Sequence, residues 1–250
     1  DPADVRPFFT IWLRVPPGDP QRPELYIYRD WPDEQTFGEW ATATERETSE
    51  DSRKGWDGDR GPAQANPGLG TSGYKRVWLD KETVTATSDE RDPYRRHLQE
   101  EARRLGQPRQ EFIFARKIDP RAAPREHITE SGGTCLLWDF AKEDEGEAGA
   151  MLPAFDFEVA PGNPVAHGIT LINELLEWHQ ERPLLPPLNA PRLFVSSECR
   201  QVIWALSHYT GKAGEQGASK DVIDDLRMAA ESDLQYVDEQ TLGSRGGGSY

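Results

Sequence analysis

Three carboxylates in this chain stand where a strand or a helix is expected to start or stop. Asp1 precedes the first strand-like run, Asp119 closes another, and Asp221 opens the segment "SKDVIDDLRMAA". Side chains at strand ends and helix starts can converge on one point of an α/β sheet although they lie far apart in sequence. Hard cations such as Mg²⁺ and Mn²⁺ prefer oxygen ligands and use a few carboxylates completed by water and phosphate. Two such ions about 4 Å apart can activate a water and stabilise the leaving oxygen of a phosphodiester. The placement therefore permits two-metal hydrolysis. It does not by itself demand it. The chain has 44 acidic residues, and Asp119 could simply end a strand while Asp221 faces a helix dipole.

The segment around Asp221 has two faces. Val222, Leu226 and Ala229 fall at i, i+4 and i+7, with Ile223 and Ala230 beside them, which is the apolar stripe of a helix packed on a core. Asp221, Asp224 and Asp225 fall at i, i+3 and i+4 and so lie on one side of the same helix. Carboxylates crowded in this way raise one another's pKa.

The elements that must hold these groups are legible in the pattern of residues. Phe9, Ile11, Leu13 and Val15 alternate with Phe8, Thr10, Trp12 and Arg14, a strand with one more polar face. The turn-rich "PPGDPQRP" leads into a second strand, "ELYIYRDW", so 8–31 reads as an antiparallel hairpin. Residues 37–72 lack periodicity and read as a surface excursion. "GYKRVWLDKE" is expected to start a helix, and "DPYRRHLQEEARRLG" to form another that Gly106 ends. "EFIFARKID", 111–119, predicts a strand, and "GGTCLLWDFAKEDEGE" a short helix with an acidic tail. "AHGITLINELLEWHQ" predicts a helix with Ile169, Ile172, Leu175, Leu176 and His179 on one face. "RLFVS" is a short strand, and Ser196 or Ser197 can cap the helix "ECRQVIWALSHYTG" that follows. Residues 233–250 read as a flexible tail. Strands first and then strands alternating with helices predict an α/β mixed sheet, in one domain over 1–232.

Formal net charge is −15, which argues against simple electrostatic wrapping of nucleic acid. It leaves room for an acidic site that meets DNA through bound metal ions. The two cysteines, Cys135 and Cys199, lie in apolar contexts and are expected to be reduced core residues of an intracellular protein. No apolar run approaches the roughly 20 residues of a bilayer span, and no signal peptide is visible. The five histidines show no zinc-type spacing with the cysteines. "NPGLGTSG" lacks the ending of a phosphate-binding P-loop. Asp1-Pro2-Ala3 is an abrupt start, so further residues are expected upstream.

Taken in order, these segments resemble the C-terminal nuclease domain of phage terminase large subunits, the DNA-packaging motor proteins. "DPADVRPFFTIW" is similar to the family's first-strand motif and "YIYRDWP" to its second strand. "GLGTSGYKRVWLDKE" resembles the approach to a helix, and "ARKIDPRAA" the strand with the second metal-binding Asp. "PRLFVSSECRQVIWALSHY" and "SKDVIDDLRMAA" resemble the late strand and the last helices. The resemblance spans about residues 1–232. It implies an RNase H-like mixed sheet flanked by helices and a metal-dependent endonuclease that cuts concatemeric double-stranded DNA with two Mg²⁺ or Mn²⁺ ions. By the same resemblance Asp1 matches the first metal ligand, Asp119 the second and Asp221 the third. Asp224 matches an acidic residue one turn later, and Arg227 the basic residue that follows.

Asp225 stands where the family has Ala and Met228 where it has an aromatic residue, and neither is expected to touch the ligands. Asp221, with Asp224 behind it, would be presented to a metal shared with Asp1, and the cation would relieve the carboxylate repulsion. Lys117, Arg121 and Arg125, with Arg6, are the candidate DNA contacts. Implied partners are double-stranded DNA, a small terminase subunit, a portal protein and an ATPase domain upstream in the same polypeptide, with no membrane. The implied location is the host cytoplasm, transiently on a procapsid. Two other readings compete: another RNase H-like nuclease such as a junction resolvase, and a non-catalytic interaction module of a phage motor.

Overall fold

The computed structural model describes residues 9–31, 83–87, 93–121, 123–124, 126–129, 132–141, 144–145, 151–152, 154–186, 188–211 and 218–238. Asp1, Arg6, Arg125, the 37–72 excursion and "GYKRVWLDKE" lie outside them. The described residues fall into two compact units. One is drawn from 9–31, 117–123 and 159–238, the other from 83–116 and 124–158.

The first unit is built on the expected hairpin. β1 (Thr10–Arg14) runs antiparallel to β2 (Leu25–Trp31), from Thr10 opposite Trp31 to Arg14 opposite Tyr26, with a register shift between Trp12 and Leu13. The connecting turn is tied locally, Asp19 Oδ1 accepting from the Gln21 N–H at 2.9 Å. β11 (Leu193–Val195) lies parallel to β2 on its other side, so β2 is the central strand of the order β1-β2-β11. Period-two alternation sends Leu25, Ile27 and Leu193 to one face. There they meet Ile172 and Leu175 of α3 (Val165–Leu176), Val202 and Ala205 of α4 (Arg200–His208), and Val222, Ile223 and Leu226 of α5 (Ala218–Glu231). Phe9, Ile11, Leu13 and Val15 pack against the same core, as their alternation predicts. On the opposite face Tyr26 stacks on Phe194 at 4.5 Å, and Trp12 is buried rather than exposed.

Two local expectations are corrected here. α3 stops at Leu176, so His179 is not on its face. The Asn189 side chain offers the following chain a competing set of partners. Its Oδ1 accepts from the His179 N–H at 2.8 Å, and its Nδ2 donates to the carbonyls of His179 and Pro183, both at 3.0 Å. Nor does a serine cap α4. Ser196 Oγ accepts from the Glu198 N–H at 3.3 Å, which closes the turn before the helix. The cap comes from the end of the central strand: Asp30 Oδ2 accepts from the Gln201 N–H at 3.0 Å and the Val202 N–H at 3.2 Å. A buried carboxylate thereby satisfies two helix-start donors and faces the positive end of the dipole. Asp30→Ala is expected to cost about 2 kcal/mol, at the upper end for a lost cap. Urea unfolding checks this, with Asp30→Asn as the milder variant.

In the second unit α1 (Pro93–Leu105) begins on proline and ends at Gly106, whose φ of +67° is the left-handed stop expected of it. Its Leu98 and Ala102 are buried, and β3 (Thr83–Val84) pairs antiparallel with β4 (Arg109–Gln110). The strand expected over 111–119 is mostly absent: β5 covers only Lys117–Ile118, in the first unit. Residues 111–116 find other partners. Glu111 forms a buried ion pair with Arg95, the Phe112 N–H donates to Tyr94 Oη at 3.2 Å, and the Arg116 carbonyl accepts from Glu158 N–H at 2.8 Å. The acidic-tailed helix expected after Gly132 is also shorter. β6 (Glu126–Thr129) and β7 (Gly132–Cys135) form a hairpin before α2 (Leu136–Phe140), and β8 (Asp144–Glu145) pairs with β9 (Met151–Leu152). β10 (Glu158–Val159) pairs with β5. Cys135 and Cys199 are both buried and form no disulfide.

Candidate functional site

The Asp-Pro step after β5 makes Asp119 a turn residue. Its Oδ1 accepts from the Arg121 N–H at 2.6 Å, and its carbonyl accepts from the Ala123 N–H at 2.9 Å. This is the local side-chain-to-backbone bonding that Asp supplies in turns. It fixes a carboxylate just beyond a strand.

The turn faces the start of α5. Arg121 Nη2 donates to Asp119 Oδ2 at 3.2 Å and to Asp224 Oδ2 at 3.5 Å, so one guanidinium spans two elements. Lys220, one turn before Asp224, contacts the same Oδ2. Arg227 approaches the other oxygen, its Nε donating to Asp224 Oδ1 at 3.3 Å. Arg227 is itself buried and held by the Asn163 carbonyl at 3.2 Å and Glu231 Oε1 at 3.5 Å. It crosses α3 where that helix carries Gly168. A methyl at Gly168 would overlap Arg227 Cγ and Glu231 Oε1 and lie 2.6 Å from Arg227 Cδ. Gly168→Ala is therefore expected to destabilise by about 3 kcal/mol, the cost of overpacking a filled contact. A lowered melting temperature measured by circular dichroism checks it.

Asp225 is the group without compensation. Although the residue keeps some surface, its Oδ2 is sealed from solvent and meets no hydrogen-bond donor among the described residues. Burial pushes its carboxyl well above the usual range, and the charges of Asp221, Asp224 and Asp119 push it further. The charges of Asp119, in the turn, and of Asp221 and Asp224, on α5, thus all act on Asp225. Asp119 and Asp224 in turn favour the charged form of Arg121. Its pKa is raised by its hydrogen bond to Asp119, then by that carboxylate's charge, with Asp224 adding to both.

Asp1 and Arg125 lie outside the described residues, and Lys117 sits in β5 two positions before Asp119. Asp225, which is not expected to touch the ligands, has Asp221, Asp224 and Asp119 among the charges acting on its carboxyl. The available signal was its i+4 spacing from Asp221. Sequence reasoning also missed that Arg121 pairs inward and that Arg227 orients Asp224.

The donor chemistry fits a hard divalent cation: several carboxylate oxygens, one of them buried and orphaned. As they stand, no three His, Cys, Asp or Glu among the described residues are gathered closely enough to hold a metal ion. Arg121 occupies the gap between Asp119 and Asp224. No helix among the described residues is long and apolar enough to cross a membrane. No family model, curated protein or solved structure matches this chain.

Proposed function

We propose that this chain is a metal-dependent endonuclease of the RNase H-like class and serves a viral DNA-packaging motor. The observation that supports it is Arg121 in the Asp119 turn, paired with Asp119 and with Asp224 of α5, which is next in sequence to Asp225 and its buried, unserved oxygen. Arg121, Lys220 and Arg227 pair with Asp119 and Asp224 but do not serve that oxygen, a deficit that a divalent cation would relieve. Asp119, Asp221 and Asp224 would hold Mg²⁺ or Mn²⁺, with Asp1 as the further ligand the resemblance supplies. Bound there, the ions would supply charge stabilisation at a phosphodiester and an activated water.

The chain's own residues do the positioning. The Asx turn orients Asp119, Arg227 orients Asp224, and Arg121 with Lys117 and Arg125 offers positive charge to the backbone of double-stranded DNA. The small terminase subunit, the portal protein and an ATPase domain in the same polypeptide would deliver the substrate in the host cytoplasm. Such an assembly replaces intrinsic affinity with effective concentration, which a chain of net −15 needs. The deciding assay is conversion of supercoiled plasmid to nicked and linear forms in Mn²⁺, with EDTA as control. Intact plasmid across a wide range of Mn²⁺ and Mg²⁺ would refute the reading. Preference for branched over linear DNA would move it to the resolvases, and Mn²⁺ binding without cleavage to a non-catalytic module.

Metal should also stabilise the fold. A cation that binds only the native state adds RT ln(1 + [L]/Kd), about 2.7 kcal/mol at 100 times Kd. The melting temperature is expected to rise with Mn²⁺ and to return on chelation. An unchanged curve would count against a site assembled in this chain.

A further inference from the structure

We propose that Arg121 is the resident counter-cation of the cluster: it holds the gap between Asp119 and Asp224 until a divalent ion displaces it, and the freed guanidinium then takes a DNA phosphate. The inference rests on the metal-dependent reading above and assigns Arg121 a role in each state.

Three cations surround Asp224, and their settings differ. Arg227 is locked, with its side chain only 8% exposed and further hydrogen bonds to Asn163 and Glu231. Lys220 is an i,i+4 partner on α5 itself. Arg121 alone among the described residues joins Asp224 to Asp119, and its side chain is 70% exposed. Its side-chain contacts run from 3.2 Å, Nη2 to Asp119 Oδ2, to 3.5 Å, Nη2 to Asp224 Oδ2. With its guanidinium in solvent, the pair with Asp119 is of the weak surface kind, and the pair with Asp224 is water-facing at the Arg121 end, the carboxylate being 11% exposed. The guanidinium is therefore both well placed to neutralise the gap and easily moved.

The second observation is Asp225. Its Oδ2 is buried and lacks a hydrogen-bond donor among the described residues, one position after Asp224 on α5. A surface arginine with one planar fork neutralises the outer edge of the cluster and leaves this oxygen unserved. A small ion of high coordination number can draw on carboxylates that do not share a plane. Exchange of one charge for two thus favours the ion. It releases a planar five-donor group whose fork matches a phosphate.

The test uses the whole 250-residue chain with Arg121→Gln and Arg121→Lys. Arg121 is at the surface, so both variants should fold. Mn²⁺ binding is read by calorimetry, and binding of a short phosphorothioate duplex by fluorescence anisotropy, in EDTA and in Mn²⁺. Arg121→Gln should bind Mn²⁺ about three- to fivefold tighter, because it removes a competitor of surface-pair strength. In EDTA its duplex affinity should equal that of the unsubstituted chain. In Mn²⁺ its affinity should fall, with the slope of log K against log salt shallower by about 1, the loss of one phosphate contact. Arg121→Lys should keep that slope. Equal Mn²⁺ affinities for the Gln variant and the unsubstituted chain would overturn the displacement and leave the metal site standing. A DNA-binding defect of the same size with and without Mn²⁺ would overturn the turn to phosphate. Absence of Mn²⁺ binding in all three proteins would overturn the inference together with the nuclease reading.

Discussion

Asp119→Ala and Asp221→Ala are each expected to lower Mn²⁺-dependent plasmid cleavage by more than about 100-fold while leaving the fold intact, since loss of a direct ligand should exceed the 10–100-fold cost of losing an outer partner. Neither change uncovers a buried charge. Asp119 loses a turn hydrogen bond to the Arg121 N–H, worth about 1 kcal/mol. Asp221 loses a favourable place near the positive end of α5, worth under about 1 kcal/mol. Each also removes one of the charges that press on Asp225. Far-UV circular dichroism and the melting curve should therefore stay close to those of the unsubstituted protein. A mutant that cleaves at near the original rate has no ligand role at that position.

Asp224→Ala is a poorer probe of catalysis than its place one turn further along the helix suggests. Its carboxylate is one of two ion-pair partners of buried Arg227, and removing it leaves that guanidinium only Glu231 and the Asn163 carbonyl, at a cost of about 2 kcal/mol for a lost charged hydrogen bond. Lost activity in that variant would mix lost chemistry with lost stability.

Asp225→Asn is expected to stabilise the metal-free protein at neutral and alkaline pH and to have little effect in acid. The sign follows from linkage. The folded-state pKa of Asp225 is raised above its unfolded value, by burial first and then by Asp221, Asp224 and Asp119. Between the two values the folded chain holds a proton that the unfolded chain has released, so stability falls as pH rises through this window. Below the unfolded value, about 3.9 for an Asp, both states are protonated and the penalty is absent. An amide of nearly the same shape carries no charge to bury, so it removes the pH-dependent loss. Melting temperatures from pH 4 to pH 9 should converge at the acid end and diverge toward the alkaline end. Parallel curves would mean that the Asp225 carboxyl is not held in this field. Because the amide is a poorer ligand for a hard cation, the Asn variant should also show a smaller Mn²⁺-induced rise in melting temperature.

How much of this was legible beforehand differs from residue to residue. The hairpin, the stripe of Val222, Ile223 and Leu226, and the stop at Gly106 follow from periodicities and backbone preferences set by neighbours a few positions away. So does the placement of Asp119, since an Asp-Pro step after an apolar run makes a turn wherever the chain lies. The acidic side of α5 is a matter of helical spacing. Legibility failed where the partner is remote. "EFIFARKID" has the composition of a strand, yet most of it is not one, because Arg95, Tyr94 and Glu158 take up its side-chain and backbone groups. His179 continues the helical pattern, but Asn189 captures the chain first.

The sequence by itself determined the pieces: which faces are apolar, where the elements turn, and that Asp221, Asp224 and Asp225 share one side of a helix. Only the tertiary structure decided how their charges are settled. It set Arg121 against Asp224, 103 residues away, and Asp30 against the start of α4, 171 residues on. It also sealed the Asp225 Oδ2 from water, with the charges of three other carboxylates acting on that group. Local periodicity depends on torsions and neighbours along the chain. Desolvation and Coulomb energy depend on distance through space, which chain order does not encode.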